Sequence, residues 1–455
     1  MTKKAAEKLW LTANKVRGTF EISDLCEVVI FTLFINYVEI QKKSEDNEIL
    51  LSYDDKFSVG YLALTYGKMV NAPEVTGYMK SIEQELGLEG NVISGELGKL
   101  LGMANVEIIR VIFGAVEQIS FENSEQLYEV ALQLLSKLSY ARGRMSGEQY
   151  SNLSLCKLEA KLLDCQGGMT VYDGFCGCGV SANEAANNKG IVFMQDINVS
   201  TIALASVLTL LKGNEIGAIR CGDSQLNPLS YEEYDRIVSE PPFMPKYSND
   251  YFMSMPSENF IYQDNLDSES LALRHSLAHL KKEGIAIVLV PMGFLFKSGK
   301  GAEIREKLIV DNYIDTVIEL PSGVLPSTGA ATALLIFRKN KSDNAIYMIN
   351  AKSLFEKVDR NQVVISDENI DKIVNLYNTR ESVEGISHNT PIEEILNNGY
   401  NLCTTQYVIL SPKDSITVED TAEYAQKYEQ LISQLMEMDG KLGAMRGRFI
   451  KGNIY

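Results

Sequence analysis

Four consecutive residues, Glu240, Pro241, Pro242 and Phe243, put a hydrogen-bond acceptor, two rigid imino acids and an aromatic face into one turn. The prolines fix φ and donate no N–H, which stiffens the turn and leaves the carbonyl between them as an acceptor. Phe243 offers a face on which a planar ring can stack. Three further acids sit in comparable places: Asp173 ends "MTVYD", Asp196 lies in "MQDINVS" and Asp223 in "CGDS". Each follows a β-rich run, so with Glu240 they are expected on one rim, the carboxyl ends of successive strands.

Asp173 runs into "GFCGCGVSANEAANN", within which a helix is expected to begin near Ser181. Gly174, Gly177 and Gly179 keep this turn free of Cβ atoms, so a ligand can approach the backbone beside a helix start. Asp196, about 20 residues on, is where a carboxylate can hold ribose hydroxyls. Any one of these acids read alone is a solvated loop residue, and the glycines alone are a tight turn. Three acids ending three successive strands point instead to a nucleotide-like cofactor.

The positioning elements come in three blocks. Residues 1–143 read as a helical domain, with Leu9, Ala13, Val16 and Phe20 at helical spacing and apolar runs at 28–38, 97–116 and 124–143. Residues 144–410 alternate strands and helices, with β-rich runs at 169–173, 191–195, 218–221, 236–239, 285–290, 314–320 and 331–337. The last two runs are joined by "PSGVLPSTGA", too short for a crossover helix, so they are expected to pair antiparallel. The fold class is α/β, a Rossmann-like open sheet. Residues 411–455 carry an a/d seam, Tyr424, Tyr428, Leu431, Leu435, Met438, Leu442, Met445 and Phe449. Such a seam needs an apolar surface: a partner chain, a second copy or the protein's own helical domain.

The 455-residue chain is 45% hydrophobic and 23% charged, the profile of a globular protein, and its most apolar run, 28–38, is too short to span a bilayer. Seven cysteines and three histidines form no metal-ligand spacing. The expectation is a reduced, cytoplasmic protein without structural zinc. His275 and His279 sit one helical turn apart with no third ligand. A net charge of −17 argues against gripping duplex DNA alone, since phosphate contacts dominate such affinity. Any nucleic acid is then presented largely by a partner. Lys297, Lys300, Arg305 and Lys307 form a basic group that either touches phosphate or is a solvated helix face.

The order "VYDGFCGCG … QDIN … GDS … EPPF" resembles an S-adenosylmethionine-dependent, amino-methylating DNA methyltransferase, and most closely the modification subunit of type I restriction–modification systems. "KLWLTANKVRG" with "VVIFTLFINYV" is similar to the opening of that family's helical domain. "GAEIREKLIVDNYIDTVIELPSGVLPSTGAATALLIFRKNK" and "NNGYNLCTTQYV" are similar to its later stretches, so the likeness covers nearly the whole chain. It implies that Asp173, Phe175, Gly177 and Gly179 surround the methionine and adenosine of S-adenosylmethionine. It further implies that Asp196 with Asn198 binds the ribose, and that Asp223 faces the adenine amine. Tyr150 falls on the family's aromatic-Thr-Pro position, where Ser151 and Asn152 replace Thr and Pro. Glu240, Pro241, Pro242 and Phe243 fall on the catalytic loop. Implied partners are DNA, a specificity subunit and a nuclease subunit.

At the first loop position the family has Asn, Asp or Ser; here it is Glu240. The exocyclic amine of adenine is a poor nucleophile until a short acceptor and the inter-proline carbonyl draw its hydrogens into place. Glu240 is longer, and a misplacement of about 1 Å can cost on the order of 10²-fold in rate. Thr405 and Gln406 also replace the family's Pro-Arg. The expectation is an N6-adenine DNA methyltransferase subunit, either working with Glu240 as an atypical acceptor or impaired by it. Two alternatives stand beside it: an inactive methyltransferase that senses or assembles within a defence-type complex, and a methyltransferase for an amine in RNA or protein.

Overall fold

A computed structural model describes residues 1–18, 20–43, 53–142, 152–229, 232–243, 245–263, 268, 270–325, 330–359 and 362–408, with Tyr428, Gln430 and Ile432. Met1–Val408 forms one compact unit and Ile409–Tyr455 a second. In the second unit Tyr428, Gln430 and Ile432 are helical and exposed; the rest of the heptad seam lies outside the described residues. Among the described residues, no helix is long and apolar enough to cross a membrane.

Among the described residues, seven α-helices open the chain: α1 (Thr2–Val16), α2 (Ile22–Lys43), α3 (Val59–Thr65), α4 (Ala72–Glu85), α5 (Val92–Met103), α6 (Val106–Glu117) and α7 (Ser124–Arg142). Local chemistry sets their ends. Asn71 and Glu74 build a reciprocal capping box at the start of α4, with Pro73 in its first turn. Next come α8 (Leu153–Leu163), α9 (Val180–Ala186) and α10 (Val199–Lys212), interleaved with the first strands.

The strands are β1 (Thr170–Asp173), β2 (Ile191–Asp196), β3 (Glu215–Cys221), β4 (Tyr234–Ser239), β5 (Leu280–Pro291), β6 (Ile314–Glu319), β7 (Thr332–Phe337), β8 (Ala345–Asn350), β9 (Glu356–Asp359), β10 (Gln362–Val364) and β11 (Ser387–Pro391). Nine of them form one sheet in the order β11-β8-β6-β7-β5-β4-β1-β2-β3, while β9 and β10 pair separately. The chain leaves β1 toward β2 and β3, then returns to place β4 on the other side of β1. That reversal is the switch point at which open α/β sheets hold ligands. The turns after β1 and β4 both border it.

The antiparallel pairing expected near the end of the sheet is present. β7 runs antiparallel to both β6 and β5, with Glu319 opposite Ala333 and Val290 opposite Ala333. It is not at the edge, however, because β8 pairs parallel to β6 and β11 closes the side. The sequence reading did not single out β8 or β11. "SHNTP" has little strand propensity and holds only as an edge paired to β8, where its terminal proline is tolerated.

α10 joins the two halves of the first unit. It is buried nearly all round, as expected for a helix apolar on every face. Ile202 and Ala205 face the sheet core, whereas Ala203, Leu204, Val207, Leu208 and Leu211 belong to the core built by the N-terminal helices. Burying each of these large aliphatic side chains is worth about 2 kcal/mol. At its first turn Ser200 Oγ donates to Glu27 of α2 at 3.1 Å and Glu96 of α5 at 3.2 Å.

Candidate active site

The turn after β1 is wired to the next strand. Asp173 is 2% exposed, and its Oδ1 accepts from the Phe175 N–H at 3.0 Å. Burial pushes this carboxyl well above the ordinary aspartate range, an effect that the Phe175 N–H opposes. Gly177, at φ +50°, donates its N–H to Asp196 Oδ2 at 2.9 Å. Gly179, at φ +73°, precedes α9, and a Cβ there would lie 2.8 Å from Met194 Sδ. Only glycine fits that position.

Asp196 Oδ1 accepts from the Asn198 N–H at 2.9 Å, and Asn198 in turn caps α10 by accepting from the Ser200 N–H at 2.9 Å. Asp223 Oδ1 accepts from the Gln225 N–H at 2.9 Å, while its Oδ2 accepts from the Tyr251 hydroxyl at 2.7 Å. Tyr251 stacks on Tyr247 with ring centroids 4.3 Å apart. Burial, followed by Asp223, pushes the Tyr247 phenol up to about 12, so it stays protonated. Burial and the bond to Asp223 also raise the Tyr251 phenol, which keeps it a donor.

These side chains surround a cavity of about 430 Å³ bordered by Gly174, Phe175, Gly177, Asp196, Asn198, Asp223, Glu240 and Pro242. The structure thus gathers Asp196, Asp223, the bare turn and the head of the proline loop around one space, whereas Asp173 and Gly179 stand behind that turn and do not border it. An elongated nucleoside with an amino-acid tail fits this donor set: carboxylates for hydroxyls and amines, and open backbone at the turn. Ile197, 73% exposed on the cavity wall, adds an apolar face. Sequence reasoning missed Ile197, Tyr247 and Tyr251. An apolar residue directly after Asp196 was a usable signal; the tyrosines gave none, because the loop and the short helix Asn249–Ser254 that carry them are placed only by tertiary contacts.

Glu240 does not project as a free acceptor. Its Oε1 takes the Ser181 hydroxyl hydrogen at 2.5 Å, so the carboxylate leans on the first turn of α9. From α8, Cys156 Sγ and a Glu159 oxygen approach, and these two donor atoms and one of Glu240 lie within 4.8 Å of one another. Burial, and then the Glu240 carboxylate, push the Glu159 carboxyl well above its ordinary range. Pro241 and Phe243 are half-buried and Pro242 is exposed. Phe243, Pro241 and Pro242 line a second space of about 30 Å³ with Tyr247, Pro291 and Phe294. That volume holds a water or two and not a purine.

Tyr150 and Ser151 lie outside the described residues. Asn152 does more than replace a proline: it caps α8 through the Ser154 N–H at 2.9 Å and donates to the Val324 and Val363 carbonyls at 2.8 and 3.0 Å. Arg305 is buried against the carbonyls of Tyr400, Phe294 and Lys297, a role inside the fold. His275 is fully buried with Nε2 2.8 Å from the Tyr172 hydroxyl.

A mainly parallel sheet with an inserted antiparallel strand and a cavity of about 430 Å³ lined by Asp196 and Asp223 at its switch point defines the class, an S-adenosylmethionine-dependent methyltransferase. The N-6 DNA methylase family model matches residues 124–415, and the chain belongs to that family. It is 29% identical to the type I restriction enzyme MjaVII methylase subunit of Methanocaldococcus jannaschii over 64% of this chain and 54% of that protein. It therefore spans about half the length of that curated relative. Against the MjaIX methylase subunit of the same organism it is 23% identical over 97% of this chain and 91% of that one. Among solved structures, the type I restriction-modification methyltransferase subunit from Streptococcus thermophilus superposes with a TM-score of 0.74 at 22% identity, covering 90% of this chain and 100% of that one.

Proposed function

We propose that this chain is the S-adenosylmethionine-binding modification subunit of a type I restriction–modification-like assembly, directed at N6 of adenine in DNA. It would work with a specificity subunit that presents the DNA and a nuclease subunit. The observation that carries this reading is the cavity bordered by Gly177, Asp196 and Asp223 with the Glu240 loop at its mouth. Bound S-adenosylmethionine supplies an electrophilic methyl group. Asp196 would hold the ribose hydroxyls, Asp223 the adenine amine of the cofactor, and the turn at Phe175–Gly179 its amino-acid end. The carbonyl between the prolines would accept one hydrogen of the target amine, and Phe243 would stack the base.

The Ser181–Glu240 hydrogen bond supports a second reading, in which the subunit binds the cofactor but transfers methyl slowly or not at all. One experiment covers both. The complete complex is given methyl-labelled S-adenosylmethionine and DNA containing its site, while cofactor binding is followed by calorimetry. Binding with transfer to adenine N6 supports the enzyme, and binding without transfer the silent form. No binding, with Asp196→Ala indistinguishable from wild type, overturns both. Label on RNA or protein instead would redirect the substrate class.

A further inference from the structure

We propose that Cys156, Glu159 and Glu240 form a buried metal site beside the cofactor cavity that takes one zinc-like divalent cation. The three side chains come from two remote segments: Cys156 and Glu159 lie three apart on one face of α8, and Glu240 follows β4. One donor atom from each lies within 4.8 Å of the others. A tetrahedral zinc ion with bonds of about 2.0–2.3 Å holds its ligands roughly 3.3–3.8 Å apart, so small rotamer adjustments bring the three to bonding distance. Ser181 Oγ stands 3.2 Å from Cys156 Sγ and 2.5 Å from Glu240 Oε1, which supplies a fourth oxygen at the same point.

Glu159 is the independent sign that a ligand belongs here. It is 0% exposed, and no donor meets hydrogen-bond geometry at either carboxylate oxygen among the described residues; its polar neighbours are the Ser181 hydroxyl and the Glu240 carboxyl. Buried carboxylates are ordinarily paired or bound to a metal, because leaving one bare costs several kcal/mol. The neighbouring acids are already answered: Glu184 by Lys212 at 3.2 Å and by the Tyr128 hydroxyl, and Asp173 by the Phe175 N–H. The trio lies among the aliphatic side chains of two cores, and Glu240 on the cavity wall provides the route in.

A thiolate beside two carboxylates selects a borderline-soft ion over magnesium or calcium. On binding, the Cys156 proton and the proton shared by Glu159 and Glu240 leave to solvent, and the three coordinate as a thiolate and two carboxylates. The ion would be structural. It would fix Glu240 against α8, and it is read by metal content and spectrum rather than by methyl transfer, so its failure is distinguishable from failure of the reaction proposed above.

The test uses the full-length protein, stripped with chelator and then dialysed against zinc or cobalt. The expected result is about one zinc per chain by elemental analysis, a thiolate-to-cobalt charge-transfer band, and a melting temperature that rises with zinc. Cys156→Ser should lose the cobalt band. Glu159→Gln should lose the zinc-dependent rise while the metal-free protein melts no lower than wild type, since a neutral amide replaces a bare buried acid. Wild-type protein with less than about a tenth of an equivalent of zinc, no charge-transfer band and no thermal shift would overturn the proposal and leave a shared proton as what holds the two glutamates. Undiminished binding by both variants would overturn it equally, and because the cobalt spectrum is read on wild type, misfolding of a variant does not blunt the test.

Discussion

Tyr251 donates its hydroxyl to Oδ2 of Asp223 across 2.7 Å, so the third strand-end acid is steered by an aromatic residue from the short helix Asn249–Ser254 beyond β4. Backbone N–H groups hold the other oxygen, and together they fix the carboxylate in one rotamer. Tyr251→Phe removes the steering bond without changing the ring stack on Tyr247. A hydrogen bond to a charged group is worth about 1.5–3 kcal/mol, and part of that is recovered by water at this half-exposed site. S-adenosylmethionine should bind about tenfold more weakly to Tyr251→Phe in calorimetry. Affinity equal to wild type would show that Asp223 needs no such support.

Glu240→Asn shortens the acceptor and cuts its tie to Ser181. Labelled-methyl incorporation by the complete complex should rise at least about tenfold, since ångström-scale misplacement accounts for losses on the order of 10². Cofactor affinity should stay within about twofold, because Asp196 and Asp223 are untouched. A variant no faster than wild type would place the obstacle elsewhere, for instance in the closed space behind Phe243.

Asn152→Ala removes a helix cap and two buried donations at once. The lost cap costs about 1 kcal/mol and the orphaned carbonyls about 1 kcal/mol or more each, for a total of roughly 2–4 kcal/mol. Denaturant unfolding would read this as a lower midpoint. A neutral substitution would mean that α8 is held by its apolar face alone.

His275 gives the fold a pH dependence. Burial, with His279 adding to it, holds its imidazole well below the ordinary 6.5, so the native state keeps it neutral. The unfolded chain takes up a proton below that value and the folded chain does not. Stability from this group is therefore complete above about pH 6.5 and declines as pH falls, by at most about 1.4 kcal/mol per pH unit. His275→Gln should flatten the melting-temperature curve between pH 7 and 5 relative to wild type. Parallel curves would remove His275 as the cause.

The rim was legible in the sequence because each of its acids sits at a fixed offset from a strand that β-rich composition already marks. Asp173, Asp196 and Asp223 needed nothing beyond local pattern to be placed at strand ends, whereas the switch point emerged only with the order of strands in the sheet. β8 and β11 escaped notice for the opposite reason: their pairing is with strands far along the chain, and "SHNTP" has no strand character of its own. Ser181 and Glu159 were equally hidden. Each is an ordinary helix residue until α8, α9 and the Glu240 loop meet, and that meeting is a property of packing at remote positions. Glu240 itself stood out as the wrong length for its place, but what its carboxylate touches could not be read from one dimension.

The helix whose first turn borders the cofactor space spends the rest of its length inside the amino-terminal bundle, with Leu204, Val207, Leu208 and Leu211 as its anchors. The methyltransferase half is accordingly not a cassette that can be lifted out. Excised from residue 144 onward, it would carry a greasy scar along α10, and whatever turns the bundle also turns the floor on which the nucleoside rests.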